Sequence, residues 1–402
     1  MTFWPAHVTE PRPYRQVKRG GSKLDRTLTE IQVSLPPKIG EQPYSASPKL
    51  VSALETAVAD LREVDSGSAE SLNTMASFLV RTESIASSKI ESIEASTEDF
   101  ARAIAGSKAN QSATLMAAGA KAISNLIDEV GVAGSFNKVV ILAAHGILLA
   151  EDEVESRFAG KFREVQNWIG GSNYSPHLAD YIPPPPELVD EYMDDLIVFL
   201  NRDDIPVVAQ AAIGHAQFES IHPFTDGNGR IGRAIINAVF RRRGVSRRVV
   251  TPVASALLAN QAAYFKTLVD YRAGAIDGLI LNLALAAQIS GREALVSALN
   301  IETMPSAWVH MAKPRAGSAA ERIINLLVMH PVLSAEQAEK LLGASPQSIY
   351  EAMDALERAG VVHELTNRQR NKVWGATAVL AELESLNLRI AQAVGRLSRS
   401  LG

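Results

Sequence analysis

The residues best suited to chemistry lie in one short run, His222-Pro-Phe-Thr-Asp-Gly-Asn-Gly-Arg-Ile-Gly-Arg233. Two glycines and an asparagine tolerate positive φ, so Thr225-Asp226-Gly227-Asn228-Gly229 reads as a tight loop. The loop feeds a helix that the pattern starts at Arg230. A glycine-rich turn running into a helix N-terminus aims backbone N–H groups at one point, which makes an anion site suited to phosphates. Arg230 and Arg233 stand three apart and project from one side of that helix start. Each guanidinium can grip phosphate oxygens through two hydrogen bonds. Asp226 offers a hard carboxylate for Mg²⁺, the ion that accompanies a nucleoside triphosphate. A neutral imidazole at His222 could take a proton from an attacking hydroxyl. On these residues alone, phosphate binding and a plain turn remain equally open. A calcium loop fits poorly because too few oxygen ligands are correctly spaced. His215 and His222 lie seven apart on one helical face, but no third ligand completes a zinc site.

The elements that must position this run are helical. Residues 206–221 form an apolar helix, which Pro223 should stop at His222. The second helix runs from Arg230 to near Gly244. Upstream, residues 1–47 are rich in Pro, Gly and Arg and read as an extended arm over a neighbouring domain. Residues 48–132 carry helical periodicity through Leu50, Leu54, Val58 and Leu61, then Leu72, Phe78 and Leu79. Residues 137–300 are again mostly helical, broken by a Gly- and Pro-rich stretch, 170–186. Its run Pro183–Pro186 can neither continue a helix nor fill a central strand, and marks a surface connection. After Gly317 the reading is helix 320–329, helix 335–342 capped by Ser334, helix 345–359 with Pro346 in its first turn, then short strands at 361–365 and 372–374. That order is the order of a winged helix. A last helix spans 376–397.

Composition bounds the class. The chain has 402 residues, 47% hydrophobic and 21% charged, enough for two or three globular domains with their own cores. It has no cysteine, which removes disulfides, thiolate nucleophiles and Cys-based zinc sites together. The net charge of −4 gives no global basic field for nucleic acid. The basic start, residues 1–21, lacks an apolar segment and is not read as a secretory signal. The apolar run Val139–Ala150 is too short to span a bilayer. A cytoplasmic protein without membrane contact is expected.

The run 222–233 resembles the active-site motif of the Fic (AMP-transferring) family. Val139–Ala150 is similar to the helix that opens the family core. Gly160–Gly171 with Ala179–Pro186 is similar to the flap that holds the target protein, and Tyr44 with the prolines before it to the N-terminal arm. The resemblance covers roughly residues 40–300. It implies a mainly α fold: a Fic helical core over 133–300 with a small β-hairpin flap. Beyond the resemblance, the residue pattern makes 1–132 an arm and a helical domain, 315–377 a winged helix-turn-helix and 378–402 a closing helix. The resemblance implies ATP as substrate, Mg²⁺ as cofactor, and AMP transfer to a Ser, Thr or Tyr hydroxyl of a protein, the chain itself included. His222 would be the general base and Asp226 the Mg²⁺ ligand. Gly227, Asn228 and Gly229 would cradle phosphates, Arg230 would stabilise the transferring group, and Arg233 would grip the γ-phosphate. Asn260 and Tyr264 fall where the family holds the nucleoside, and Phe224 reads as a packing anchor. Removal of AMP is the alternative within the enzyme class.

The family also implies a brake. Many members carry an inhibitory helix with Ser or Thr, three residues, Glu, then Gly or Asn. Ser87 and Glu91, on a predicted helix, fit that pattern, and Ser92 departs at its last position; Glu94 is the fallback. The implied action is that Glu91 pairs with Arg233 in cis and denies it to the γ-phosphate. The alternative outside the enzyme class is a DNA- or protein-binding regulator whose Fic domain only senses nucleotide. The helix 345–359 carries Glu351, Asp354 and Glu357 against Arg358, a poor surface for DNA, so protein docking or a homodimer contact is the favoured role of the module.

Overall fold

The computed structural model describes residues 4–66 and 69–401. Residues 1–3 of the expected arm, residues 67–68, Gly402 at the end of the expected last helix, and the side chain of Leu72 lie outside the described residues. The chain is mostly helical and divides into two compact units. One comprises Met1–Val58, Ala122–Val245 and Gln261–Leu285, the other Ala59–Lys121, Ser246–Asn260 and Ala286–Gly402. The expected segment 1–132 is therefore shared between both units.

In chain order the elements are β1 (Val8–Pro13), α1 (Lys23–Thr27), β2 (Glu30–Leu35), α2 (Pro48–Val64), α3 (Ala69–Ile90), α4 (Thr97–Ile104), α5 (Gln111–Ala133) and α6 (Lys138–Leu149). Then come α7 (Val189–Leu200), α8 (Val207–Ile221), α9 (Asn228–Arg242), α10 (Val253–Ala259), α11 (Gln261–Arg272) and α12 (Asp277–Ala312). The C-terminal part holds α13 (Ala319–Leu327), β3 (Val332–Ser334), α14 (Ala335–Leu342), α15 (Pro346–Arg358), β4 (Val362–Glu364), β5 (Val373–Ala376) and α16 (Thr377–Leu401).

In the first unit the arm is more ordered than its composition suggests. β1 and β2 pair antiparallel, Val8 opposite Leu35 and Pro13 opposite Glu30. Pro11 and Pro13 donate nothing to a ladder, which suits a two-stranded edge and hides the strand from a sequence reading. α1 is closed by a capping box in which Ser22 and Asp25 satisfy each other's backbone N–H. The arm then lies on the helical core. Ser34 N–H donates to Ile182 O at 2.8 Å, and Asp195 accepts from the N–H groups of Ile39 and Gly40 at 2.6 and 3.1 Å. The small hairpin expected over 160–186 is closed by a single bridge, Ile169 with Tyr181.

In the second unit Ile85, Phe100, Met116 and Ala117 form one buried cluster. The fully buried Glu83 accepts the N–H of Ala254 at the start of α10 at 2.9 Å. Its C-terminal part is helix–strand–helix–helix–strand–strand, with a three-stranded antiparallel sheet in the order β3-β5-β4. The sequence reading missed β3, whose three residues precede α14 and end on its Ser334 cap. Ser334 and Gln337 complete a capping box there, and Gly343 at φ 60° ends α14. Trp374 is fully buried with Tyr350 edge-on at 5.7 Å. α12 begins in the first unit and continues into the second, and it is long and apolar. Its best window has mean hydropathy 1.3, and half of that window is buried, the pattern of a core helix.

Candidate functional site

α8 is buried at every position from Val207 to Ile221, its five polar residues included, so it sits at the centre of its unit. α9 packs along it. At Gly232 the approach is close enough that a Cβ would fall 2.4 Å from Glu219 Oε1 and 3.1 Å from both His215 Nδ1 and Phe218 Cδ1. The two helices are joined by the loop 222–227, and the site is built on that turn.

His222 is the C-cap of α8, in the left-handed region at φ 49°, ψ 60°. Pro223 forbids a further helical turn, and the left-handed cap turns the chain out of the helix. His222 N–H donates to Phe218 O at 2.9 Å. Its carbonyl accepts from Arg163 Nε at 2.9 Å and from Asn167 Nδ2 at 3.4 Å. The buried Arg163 guanidinium also donates to the carbonyls of Ile221, Pro184 and Val165, and Arg163 N–H donates to Pro223 O at 2.9 Å. Burial lowers this guanidinium to about 10, and Tyr181 and Glu187 oppose the shift. One arginine therefore ties the backbone on both sides of His222.

The loop is closed from inside. Asn228 Oδ1 accepts from Phe224 N–H at 2.9 Å while its Nδ2 donates to Phe224 O at 2.8 Å, an oxygen that Asn167 Nδ2 also reaches at 2.8 Å. The side chain of Asn228 is thus committed to the turn, and its backbone N–H is what it presents at the helix start. Gly227 is the N-cap of α9 at φ 76°, with no side-chain cap. The first intrahelical bond runs from Ile231 N–H to Gly227 O, so the N–H groups of Asn228 and Gly229 precede it. α9 begins at Asn228 rather than at Arg230, which brings both residues into its first turn. Arg230 and Arg233 are 3% and 1% exposed, and Arg230 meets Asp226 at 3.1 Å, with half of the Asp226 side chain still open.

His145, in the middle of apolar α6, carries a role the sequence reading did not give it. Its Nδ1 accepts from Gly160 N–H at 3.0 Å, so the proton sits on Nε2, which donates to Asp226 O at 3.1 Å. The ring lies parallel to Phe224 at 3.7 Å. Burial pulls it down to about 4, against the opposing pull of Asp226, so the imidazole is neutral near neutral pH. Phe224 is fully buried, a packing anchor as expected. A signal for His145 was available: a histidine in an apolar helix followed by Gly146, where a Cβ would stand 3.7 Å from the Gly160 backbone. Arg163 and Asn167 had no such signal, because the carbonyls that tie them to the loop, those of His222 and Phe224, are distant in sequence.

The remaining expected residues stand elsewhere. Tyr264 is buried, its hydroxyl 2.9 Å from His215 Nε2 and its ring stacked near that imidazole. Burial, reinforced by Arg233, holds His215 at about 3, and so neutral. Asn260 belongs to the second unit, where it caps α10 with Nδ2 3.4 Å from Ser398 Oγ. Ser87 is buried in α3 of that unit. α3 ends at Ile90, so Glu91 follows the helix instead of lying on it. Ser92 N–H returns to Lys89 O and Ile93 N–H to Ser88 O, with Ser92 at φ 60°, a left-handed helix end. Glycine and asparagine adopt that conformation more readily than serine. Among the described residues no group of three or more His, Asp or Glu side chains could hold a metal. Asp226 by itself fits a Mg²⁺ ion held through one carboxylate, substrate phosphates and water.

Residues 135–240 match the model of the Fic/DOC family. A probable protein adenylyltransferase of Aquifex aeolicus is 35% identical over 99 residues, 24% of this chain and 28% of that protein. The protein adenylyltransferase fic-1 of Caenorhabditis elegans is 33% identical over 132 residues, 32% of this chain and 22% of that protein. The chain thus aligns with about a quarter of the length of these relatives. A Fic family protein of Desulfovibrio desulfuricans superposes with a TM-score of 0.52 at 20% identity, over 83% of this chain and 98% of its own, which establishes a shared fold. The α8–loop–α9 turn and the flap both fall inside the matched segment, and residues 135–240 of this chain are therefore a Fic/DOC family domain.

Proposed function

We propose that the chain is a protein adenylyltransferase that moves AMP from ATP to a Ser, Thr or Tyr hydroxyl of a target protein. The observation that carries this reading is His222 held at the C-cap of α8 by Arg163, one short loop from the uncapped N-terminus of α9. The names of the two relatives support it. The substrate hydroxyl oxygen attacks the α-phosphorus while His222 takes its proton. The bond from the α-phosphorus to the bridging oxygen breaks, and pyrophosphate leaves. The N–H groups of Asn228 and Gly229 bind phosphate oxygens in the field of the helix start, with Arg230 and Arg233 adding charge. Mg²⁺ held by Asp226 would neutralise phosphate charge. Tyr264 and Asn260 are the proposed nucleoside contacts. Glu91 is the proposed restraint on activity, and the cytoplasm the proposed compartment. The C-terminal helix–strand–helix–helix–strand–strand segment is proposed to be a winged helix that docks protein, a second copy included, in preference to DNA.

The test is label transfer from α-labelled ATP with Mg²⁺, counted on denatured protein, for wild type, Glu91→Gly and His222→Ala. Strong self-labelling by Glu91→Gly, weak labelling by wild type and none by His222→Ala is expected. Equal labelling by His222→Ala and wild type would remove the base from the mechanism, and unchanged labelling by Glu91→Gly would remove the restraint. Absence of label on all three, with release of AMP from a modified protein, would turn the reading to AMP removal.

A further inference from the structure

α8 stops abruptly, and its last carbonyls need donors from outside the helix. Pro223 has no N–H for Glu219 O, the bond that a further turn would make. Phe224 N–H, which would serve Ser220 O in a continued helix, is taken by Asn228 Oδ1 at 2.9 Å. Ser220 and Ile221 are buried, so a carbonyl left without a donor there is costly. Donors arrive from one segment of the chain. Arg163 serves the carbonyls of Ile221 and His222. The Ser220 carbonyl accepts from the phenol O–H of Tyr181 at 2.7 Å.

Tyr181 is held at both ends. Ile169 N–H donates to Tyr181 O at 2.9 Å, and Tyr181 N–H returns to Ile169 O at 3.3 Å. The side chain is buried, and the Arg272 guanidinium at the end of α11 lies over its ring, 3.5 Å from the centroid. That is a cation–π contact. With the backbone paired and the ring gripped, the O–H reaches one point. The consequence lies two residues on. His222 takes a left-handed conformation that only its surroundings keep in place. Without a donor at Ser220, the last turn of α8 must loosen or tighten to satisfy its carbonyl, and either change carries the His222 imidazole with it. A misplacement of about 1 Å costs on the order of a hundredfold in rate. Tyr181 bonds α8, whereas the proposed phosphate contacts belong to the first turn of α9. The loss should therefore fall on turnover and spare the affinity for ATP.

We propose that Tyr181 is a positioning residue whose hydrogen bond to the Ser220 carbonyl fixes the last turn of α8 and, through it, the imidazole of His222. The anchoring stands on the geometry; its effect on turnover rests on the transferase reading. The test compares Tyr181→Phe with Tyr271→Phe. Each keeps its ring and removes one buried phenol O–H bonded to α8, but Tyr271 donates to the side chain of Gln217 at 2.7 Å, away from the helix end. Amide hydrogen exchange without nucleotide reads the anchor. In Tyr181→Phe the N–H of His222, bonded to Phe218 O, should exchange about tenfold faster relative to that of Ile213 in mid-helix. In Tyr271→Phe the two amides should keep their wild-type ratio. Label transfer from α-labelled ATP in the Glu91→Gly chain reads turnover. Tyr181→Phe should lower kcat about tenfold or more with KM for ATP within about twofold, and Tyr271→Phe should leave kcat within about twofold. An unchanged exchange ratio in Tyr181→Phe overturns the anchor. A raised ratio with unchanged kcat overturns its bearing on the base, and so does an equal loss of kcat in Tyr271→Phe. A raised ratio with no label on any chain upholds the anchor and sinks the transferase reading instead.

Discussion

Arg163 shows how much of a candidate base's placement resides in a residue that has no chemistry of its own. A non-glycine left-handed residue costs about 1 kcal/mol or more, so His222 holds its cap only because its surroundings favour it. Arg163 bonds four carbonyls, those of His222, Ile221, Pro184 and Val165, from one buried planar group. Lysine presents three donors from a single point and cannot span them. Arg163→Lys should therefore lower stability by about 2–3 kcal/mol through carbonyls left without donors. Urea denaturation measures this, and a loss under about 0.5 kcal/mol would show that water replaces the guanidinium at no cost. At this scale the sequence displayed only part of the site. Residues that act through their own side chains within one run, His222 to Arg233, were legible because glycine, carboxylate and arginine have few reasons to be spaced that way. His145, Arg163 and Asn167 act on backbone atoms that folding delivers from elsewhere, and no local pattern records that. The second task of Asn228 was not legible either: its side-chain amide closes the loop on Phe224.

The turn between α8 and α9 is held by close packing of the two helices, and at Gly232 the backbone of α9 lies against the side chains of Glu219, His215 and Phe218. A methyl group there would displace Glu219, itself buried, and press on His215 and Phe218. Overpacking of this kind costs about 1–3 kcal/mol, and the better helix propensity of alanine offsets up to about 1 kcal/mol. Gly232→Ala should destabilise by about 1–2 kcal/mol in chemical denaturation. Unchanged or raised stability would mean that the helices can part without loss, and the close-contact account of the site would fail. The helices were readable from apolar runs and end signals: α8 is mostly apolar and ends where Pro223 requires, and Ser334, Gly343, Ser345 and Gly360 mark the ends of α14 and α15. Short strands were not. β1 carries two prolines and β3 only three residues, too little for an alternation to register. α3 was extended too far, through Glu91, because Ser92 gives no glycine-like stop signal while taking up a left-handed conformation.

Among the described residues, histidines whose proton affinity is lowered by full or partial burial divide unequally between the two units. The first holds His7 and His215, each lowered from 6.5 to about 3 chiefly by burial, and His145, lowered to about 4. The second holds His330, lowered by burial and then by Arg81. Below its ordinary value each of these imidazoles binds a proton in the unfolded chain but not in the fold. Their contribution is therefore fully present above about pH 6.5 and is lost as the pH falls, by up to about 1.4 kcal/mol per pH unit for each histidine. The loss levels off below about pH 3–4, where the folded forms also protonate. Between about pH 6.5 and 5 most carboxylates stay ionised in both states, so the slope there reads the histidines. Two units need not unfold together, and a single melting curve would blur them. Hydrogen exchange separates them. Amides of α8 and α9, corrected for intrinsic exchange, should lose protection per pH unit more steeply than those of α15. His7→Gln, which removes one of three groups in the first unit, should flatten its slope by about a third. Equal slopes in the two units would show that the buried imidazoles of the first gain protons without opening it.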